Sequence, residues 1–119
     1  MKTRLQFMTE FREATLDYIT QLQIEIEHGT RMVTFLEEQE KTEAAEASAK
    51  AGKEKYDSEK ALKPLQAQIK NIGMEVARKQ VELTNRNKAL EILEDMILEQ
   101  EKKDAPVKGE NVPAEVKAE

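Results

Sequence analysis

Few side chains in this sequence have the types and spacing that chemistry requires. The chain has one histidine, His28, and no cysteine. His28 lies beside Glu25 and Glu27, but one imidazole and two carboxylates on a helix surface are typical of solvated side chains. The sequence contains no glycine-rich phosphate loop and no Ser/His/Asp set. We therefore predict that the protein is not an enzyme and has no catalytic residue, no metal site and no cofactor.

Two groups of charged residues stand out in the sequence, one basic cluster and one acidic stretch. The net charge of -5 argues against nucleic acid as a partner. The basic cluster is interrupted by Glu75 and Glu82, and we expect it to pair with acidic residues of a facing helix. Its members are Lys70, Arg78, Lys79, Arg86 and Lys88. The acidic stretch, residues 91–101, lacks the alternating ligands of a calcium loop, so we interpret it as an acidic helix face.

The clearest structural element is a long helix over residues 62–100. One heptad row in it is aliphatic throughout: Leu62, Ile69, Val76, Leu83, Leu90 and Ile97. The row three residues later mixes apolar and polar side chains: Leu65, Ile72, Lys79, Arg86, Leu93 and Gln100. Rows that alternate at spacings of three and four form the seam of a coiled coil. Polar residues in such a seam fix the register and the number of partner helices.

A second long helix precedes this one. Thr3 and Gln6 match a capping box, which marks a helix start. Apolar residues follow at helical spacing: Met8, Phe11, Tyr18, Ile19, Leu22, Ile26, Val33 and Leu36. Gly29 interrupts them, but the apolar stripe keeps its phase on both sides. We predict one helix whose Gly29 faces the partner; the alternative is a break there, which would give three short helices.

Residues 37–61 contain only one large aromatic or aliphatic side chain, Tyr56. We predict a narrow alanine seam through Ala44, Ala47 and Ala51; the alternative is a solvated single helix or a linker. Gly52 is the predicted stop of the first helix, and Asp57-Ser58 is the predicted start of the second. Pro64 then either lies near that start or kinks the helix.

The predicted fold is all-α, a long antiparallel helical hairpin. Its parts are helix 3–51, turn 52–57, helix 58–103 and a flexible tail over 104–119. The best register places Val33 opposite Val76, and it predicts that Ile26 contacts Leu83 and Ala44 contacts Leu65. The same register brings Glu25 within a turn of Arg86, so we predict an interhelical ion pair.

The base of the hairpin, its end farthest from the turn, has more apolar side chains than one seam can cover. We predict that they form an oligomer interface: Leu5, Phe7, Phe11, Leu16, Ile24, Ile92, Met96 and Leu98. Two chains would then pair as a homodimer, with a four-helix bundle at the base.

These features predict a protein that works through contacts with other proteins. Our first hypothesis is a non-enzymatic oligomeric assembly, scaffold or adaptor subunit. The alternative is a small acidic regulator or inhibitor that blocks a nucleic-acid-processing enzyme. The N-terminus does not resemble a signal peptide, and no apolar run is long enough to span a membrane. We therefore expect a cytoplasmic protein or a virion component, with no membrane contact.

Overall fold

The computed structural model describes residues 1–105, which form two long helices. Helix α1 extends over Arg4–Ser48, and helix α2 extends over Gly52–Asp104. The chain divides into two compact units. We call residues 1–17 and 86–105 the terminal unit, and residues 18–85 the turn unit. The two long helices confirm the predicted all-α fold. In the terminal unit Arg4 contacts Gln100 and the later Met8 packs with the earlier Leu93, so the helices are antiparallel. The turn unit shows the same order, since Glu25 contacts Lys79 and Glu40 contacts Gln66.

The start of α1 confirms the predicted capping box. The hydroxyl oxygen of Thr3 accepts a hydrogen bond of 3.1 Å from the backbone N–H of Gln6. In return, the side-chain oxygen of Gln6 accepts one of 2.8 Å from the N–H of Thr3. These bonds satisfy two N–H groups that have no partner inside the helix, which is why the helix begins here.

Gly29 lies inside α1, so the alternative with three short helices is excluded. A Cβ atom added at Gly29 would lie 2.5 Å from Cγ2 of Val76. The glycine therefore faces α2 and lets the two helices approach closely, as predicted. The predicted register placed Val33 opposite Val76, whereas the structure places Gly29 there, one helical turn earlier. The predicted contacts of Ile26 with Leu83 and of Ala44 with Leu65 stay predictions.

The predicted turn over residues 52–57 is wrong, because α2 already begins at Gly52 and the turn comprises residues 49–51. Gly52 has a φ of 60°, a left-handed value that glycine adopts without strain. Nothing after Gly52 interrupts the helix, and Glu54 in its first turn suits the helix dipole. Ser58, the predicted cap, instead accepts a hydrogen bond of 3.0 Å from Nζ of Lys50.

The last residues of α1 also differ from the prediction. The helix was expected to reach residue 51 but ends at Ser48. The backbone N–H groups of Ala49 and Lys50 bond to carbonyls three residues back, on Glu46 and Ala47. This tightening of the final turn directs the chain into the short connection to α2.

Pro64 and Gly73 both lie within the continuous α2. Pro64 has no N–H, so the carbonyl of Lys60 lacks its usual helical donor. A Cβ atom added at Gly73 would meet nothing within 4 Å, so no close approach requires this glycine. Lys102 and Lys103 occupy the last turn, where positive charge is favourable. The predicted tail, apart from Asp104 and Ala105, lies outside the described residues.

The buried side chains follow the predicted seam of α2 and correct that of α1. Those that are buried and apolar are Met8, Ile19, Leu22, Leu36, Ala47, Leu62, Leu93 and Ile97. In α1 the seam passes through Arg12 and Thr15, while Phe11 is exposed. Nε of Arg12 is buried without a hydrogen-bond partner in the described part of the chain.

Near the turn the predicted alanine seam is only partly correct. Ala47 is buried, but Ala44 and Ala51 are exposed. The half-buried positions are instead Glu40 and Glu43, because they continue the heptad rows that contain the buried residues farther along α1. Within residues 1–105, neither helix is apolar enough over a sufficient length to cross a membrane.

Candidate protein-docking surfaces

His28 lines a groove between α1 and α2 in the turn unit. The groove has a volume of about 440 Å³, and its lining includes apolar side chains such as Met32, Ile72 and Val76. Glu25, Glu75 and Lys79 supply its charges. Among residues 1–105, no group of three or more metal-ligating side chains could hold an ion. A lining that mixes apolar side chains with a few charged ones is typical of a site that receives a side chain or a small ligand.

The carboxylate of Glu25 is held by two side chains. Gln21 donates a hydrogen bond of 2.9 Å from Nε2 to Oε2, and Nζ of Lys79 lies 3.1 Å from Oε1. The hydrogen bond from Gln21, and then the hydrogen bond and positive charge of Lys79, lower the pKa of Glu25. The predicted pair of Glu25 with Arg86 stays a prediction. Lys79 belongs to the same seam row, one heptad before Arg86, and a register shifted by one turn brings it to Glu25.

The basic cluster pairs partly across the helices and partly along α2. Lys79 reaches α1, as expected. Arg78 pairs with Glu75 at 2.9 Å, three residues earlier on the same helix. Lys88 pairs with Glu91 at 3.4 Å, also within α2. Sequence reasoning expected the acidic partners of the cluster on the facing helix and missed those available one turn away.

Seven of the eight predicted interface residues expose large apolar side chains. The exception is Leu5, which packs against the buried cluster of Met8, Leu93 and Ile97 in the terminal unit. The others are Phe7, Phe11, Leu16, Ile24, Ile92, Met96 and Leu98. Their burial against a second chain stays a prediction. Their positions on the two helices, however, divide them into groups that one flat surface cannot cover.

One group lies on a single side of the terminal unit, which we call the aromatic flank: Phe7, Phe11, Ile92 and Met96. The two phenylalanines lie on the side of α1 next to the heptad row that contains Met8 and Thr15. Ile92 and Met96 lie on the side of α2 next to the heptad row that contains Leu93. In an antiparallel pair of helices, this side of α2 and that side of α1 form one continuous surface. Phe7 is 58% exposed, Phe11 62%, Ile92 53% and Met96 39%.

The other side of the terminal unit, which we call the acidic flank, has a different composition. It contains Leu16 and Leu98, both exposed, and four glutamates. The glutamates are Glu13, Glu91, Glu94 and Glu101. Ile24 lies on neither flank, because it belongs to the turn unit and lines the groove beside His28.

Among residues 1–105, five further large apolar side chains are exposed and were not predicted as interface residues. They are Met1, Phe35, Tyr56, Met74 and Val81. Phe35 lies one heptad after His28, and Met74 and Val81 lie on the outer side of α2. In the sequence, Phe35, Met74 and Val81 could have been found as large apolar residues that lie outside both heptad rows of the seam.

Comparison with protein-family models, curated proteins and solved structures gave no match. The assignment of function therefore depends on these surfaces.

Proposed function

We propose that this chain is a non-enzymatic coiled-coil subunit that acts in the cytoplasm or in a virion as part of a protein assembly. In this role it works as a scaffold or adaptor, and two copies pair through their terminal units into a four-helix bundle. The observation that supports the proposal is the aromatic flank. Single exposed apolar residues are ordinary, but four large ones on one side of a small unit are typical of an interaction site.

The size of the aromatic flank is consistent with a dimer. At the exposed fractions given above, its four side chains leave roughly 400 Å² of apolar surface in water in each copy. Two copies would bury about 800 Å² through these side chains alone, and their neighbours would bring the total towards the roughly 1,200 Å² of a stable interface. At about 25 cal/mol per Å², complete burial of the eight side chains of the two copies would contribute at most about 20 kcal/mol against an association cost of about 4–15 kcal/mol.

Sedimentation equilibrium tests this proposal with a matched pair of variants. We expect the wild type to be a dimer at micromolar concentration, and Phe7→Ser with Met96→Ser to shift it to monomer. The control, Leu16→Ser with Leu98→Ser, makes the same number of apolar-to-serine changes on the acidic flank and should leave the dimer intact. A wild type that is monomeric at about 100 µM, well above the dissociation constant of a modest interface, would contradict homodimerisation.

The acidic flank supports a second candidate function, an acidic regulator that blocks a nucleic-acid-processing enzyme. Four glutamates on one side could occupy a basic cleft that normally binds phosphates. Binding of this kind weakens steeply with salt, whereas apolar docking does not. Immobilised protein should therefore release a basic enzyme at raised salt, and Glu→Gln changes at Glu91, Glu94 and Glu101 should abolish its capture. Capture that persists at high salt would contradict this function.

A further inference from the structure

We infer that the second copy docks on the aromatic flank in an exchanged arrangement, in which each helix faces the other type of helix across the interface. In this arrangement α1 of each copy packs on α2 of the other, around a twofold axis parallel to the helices. The inference rests on the proposed homodimer and adds which side of the terminal unit is covered, by which helix and in which register.

The contacts within the terminal unit show which residues of α1 and α2 lie at the same height. Nε of Arg4 donates a hydrogen bond of 3.2 Å to the side-chain oxygen of Gln100. Met8 packs with Leu93 and Ile97 in one buried cluster. Phe7, next to Met8, is therefore level with Met96, and Phe11, one turn later, is level with Ile92.

Both helices extend the aromatic flank into a second seam. On α1 its residues are Arg4, Phe7, Phe11 and Ala14, at spacings of three, four and three. On α2 its residues are Ala89, Ile92, Met96 and Glu99, at the same spacings. All eight are exposed in the terminal unit. The spacing is that of the core seam, so each helix can serve a second partner helix in the same manner.

In the exchanged arrangement, every residue of this second seam has a complementary partner on the other copy. Phe7 meets Met96, and Phe11 meets Ile92, so each aromatic ring packs on an aliphatic or thioether side chain. At one end Arg4 meets Glu99, and at the other end Ala14 meets Ala89. The charged pair thus joins opposite charges, the two central pairs each join two large side chains, and the last pair joins two small ones.

The other symmetric arrangement, with α1 on α1 and α2 on α2, pairs these residues poorly. The twofold axis would then cross the helices between Phe7 and Phe11, so that Arg4 would face Ala14 of the other copy. Glu99 would likewise face Ala89, and both charges would lose their partners. Self-association through the acidic flank would bring glutamates of the two copies together, which is unfavourable.

Charge reversal tests the exchanged arrangement. The single variants Arg4→Glu and Glu99→Arg each turn two attractive pairs per dimer into repulsive ones. We expect each to raise the dimer dissociation constant at least about tenfold at low salt, and the double variant to return within about threefold of wild type. The control Glu101→Arg makes the same charge change on the acidic flank and should not weaken the dimer. Circular dichroism checks that every variant keeps its helices.

Engineered disulfides give an independent readout, since the chain has no cysteine. A mixture of Phe7→Cys and Met96→Cys chains should cross-link, whereas Phe7→Cys with Phe11→Cys should not. A dimer that the double charge reversal does not restore, and that cross-links through Phe7→Cys and Phe11→Cys, would overturn this inference and leave the proposed dimer standing. A monomeric wild type would overturn both.

Discussion

Substitution of Gly29 by alanine tests the close approach of α1 and α2, with Gly73→Ala as the matched control. Both glycines lie inside a helix, so alanine should gain about 1 kcal/mol of helix propensity at either position. The surroundings differ. At Gly73 the new methyl group meets nothing within 4 Å, while at Gly29 it would lie 2.5 Å from Cγ2 of Val76.

The sizes of these effects predict that Gly73→Ala stabilises the protein and that Gly29→Ala does not. Ordinary contacts of a Cβ atom lie at 3.4–4 Å, so the atoms at Gly29 must separate by about 1 Å. Val76 cannot rotate away easily, because its branched side chain has one preferred rotamer in a helix. Overpacking of this kind costs about 1–3 kcal/mol, which exceeds or cancels the gain in propensity. We expect Gly29→Ala to destabilise by about 0–2 kcal/mol and Gly73→Ala to stabilise by about 1 kcal/mol.

Urea unfolding of both variants at one protein concentration gives the free energies directly. The double variant Gly29→Ala with Val76→Ala removes the clash, so the two changes should be coupled favourably by at least about 1 kcal/mol. If Gly29→Ala stabilised the protein as much as Gly73→Ala does, the helices would not be in contact at this position and the reasoning would be refuted.

Three further predictions concern single polar groups. The pKa of Glu25 is lowered, so its ionised form adds stability above the usual carboxyl pKa, and this stability is lost as the pH falls through the lowered pKa. The difference in thermal stability between wild type and Glu25→Gln should therefore be present at pH 7 and disappear at a pH below the lowered pKa. Arg12→Leu should raise the free energy of unfolding by about 1 kcal/mol, since Nε has no partner in the seam, and a decrease in calorimetric stability would contradict this. Thr3→Ala should cost about 1 kcal/mol, seen as faster amide exchange in the first turn of α1, while unchanged exchange would show that the capping box contributes nothing.

The sequence by itself determined the two helices and most of their seam. Helix formation here depends on spacing along the chain, and the rows from Leu62 to Ile97 repeat without a break. The capping box at Thr3 is also local, because its partners are three residues apart. The continuity of α1 through Gly29 could be inferred as well, since the apolar stripe keeps its phase there.

The turn and the ion pairs could not be predicted in the same way. Residues 49–58 have no strong apolar pattern, so the nearest glycine and the nearest capping residues, Asp57-Ser58, were the only sequence signals. The helix instead begins at Gly52, directly after the short connection of residues 49–51, and the positive φ of Gly52 is one that glycine adopts without strain. The partner of Glu25 depends on register, and a shift of one turn brings Lys79 to it.

Only the tertiary structure decided which exposed apolar residues share a side. The sequence predicted Phe11 as part of the apolar stripe of α1, whereas the structure places its neighbour Arg12 in the seam. Packing against Leu93 and Ile97 rotates α1 so that Met8 faces inward and Phe11 faces outward. This rotation separates the aromatic flank from the acidic flank. It is set by contacts between residues some ninety positions apart, and periodicity within one helix carries no information about them.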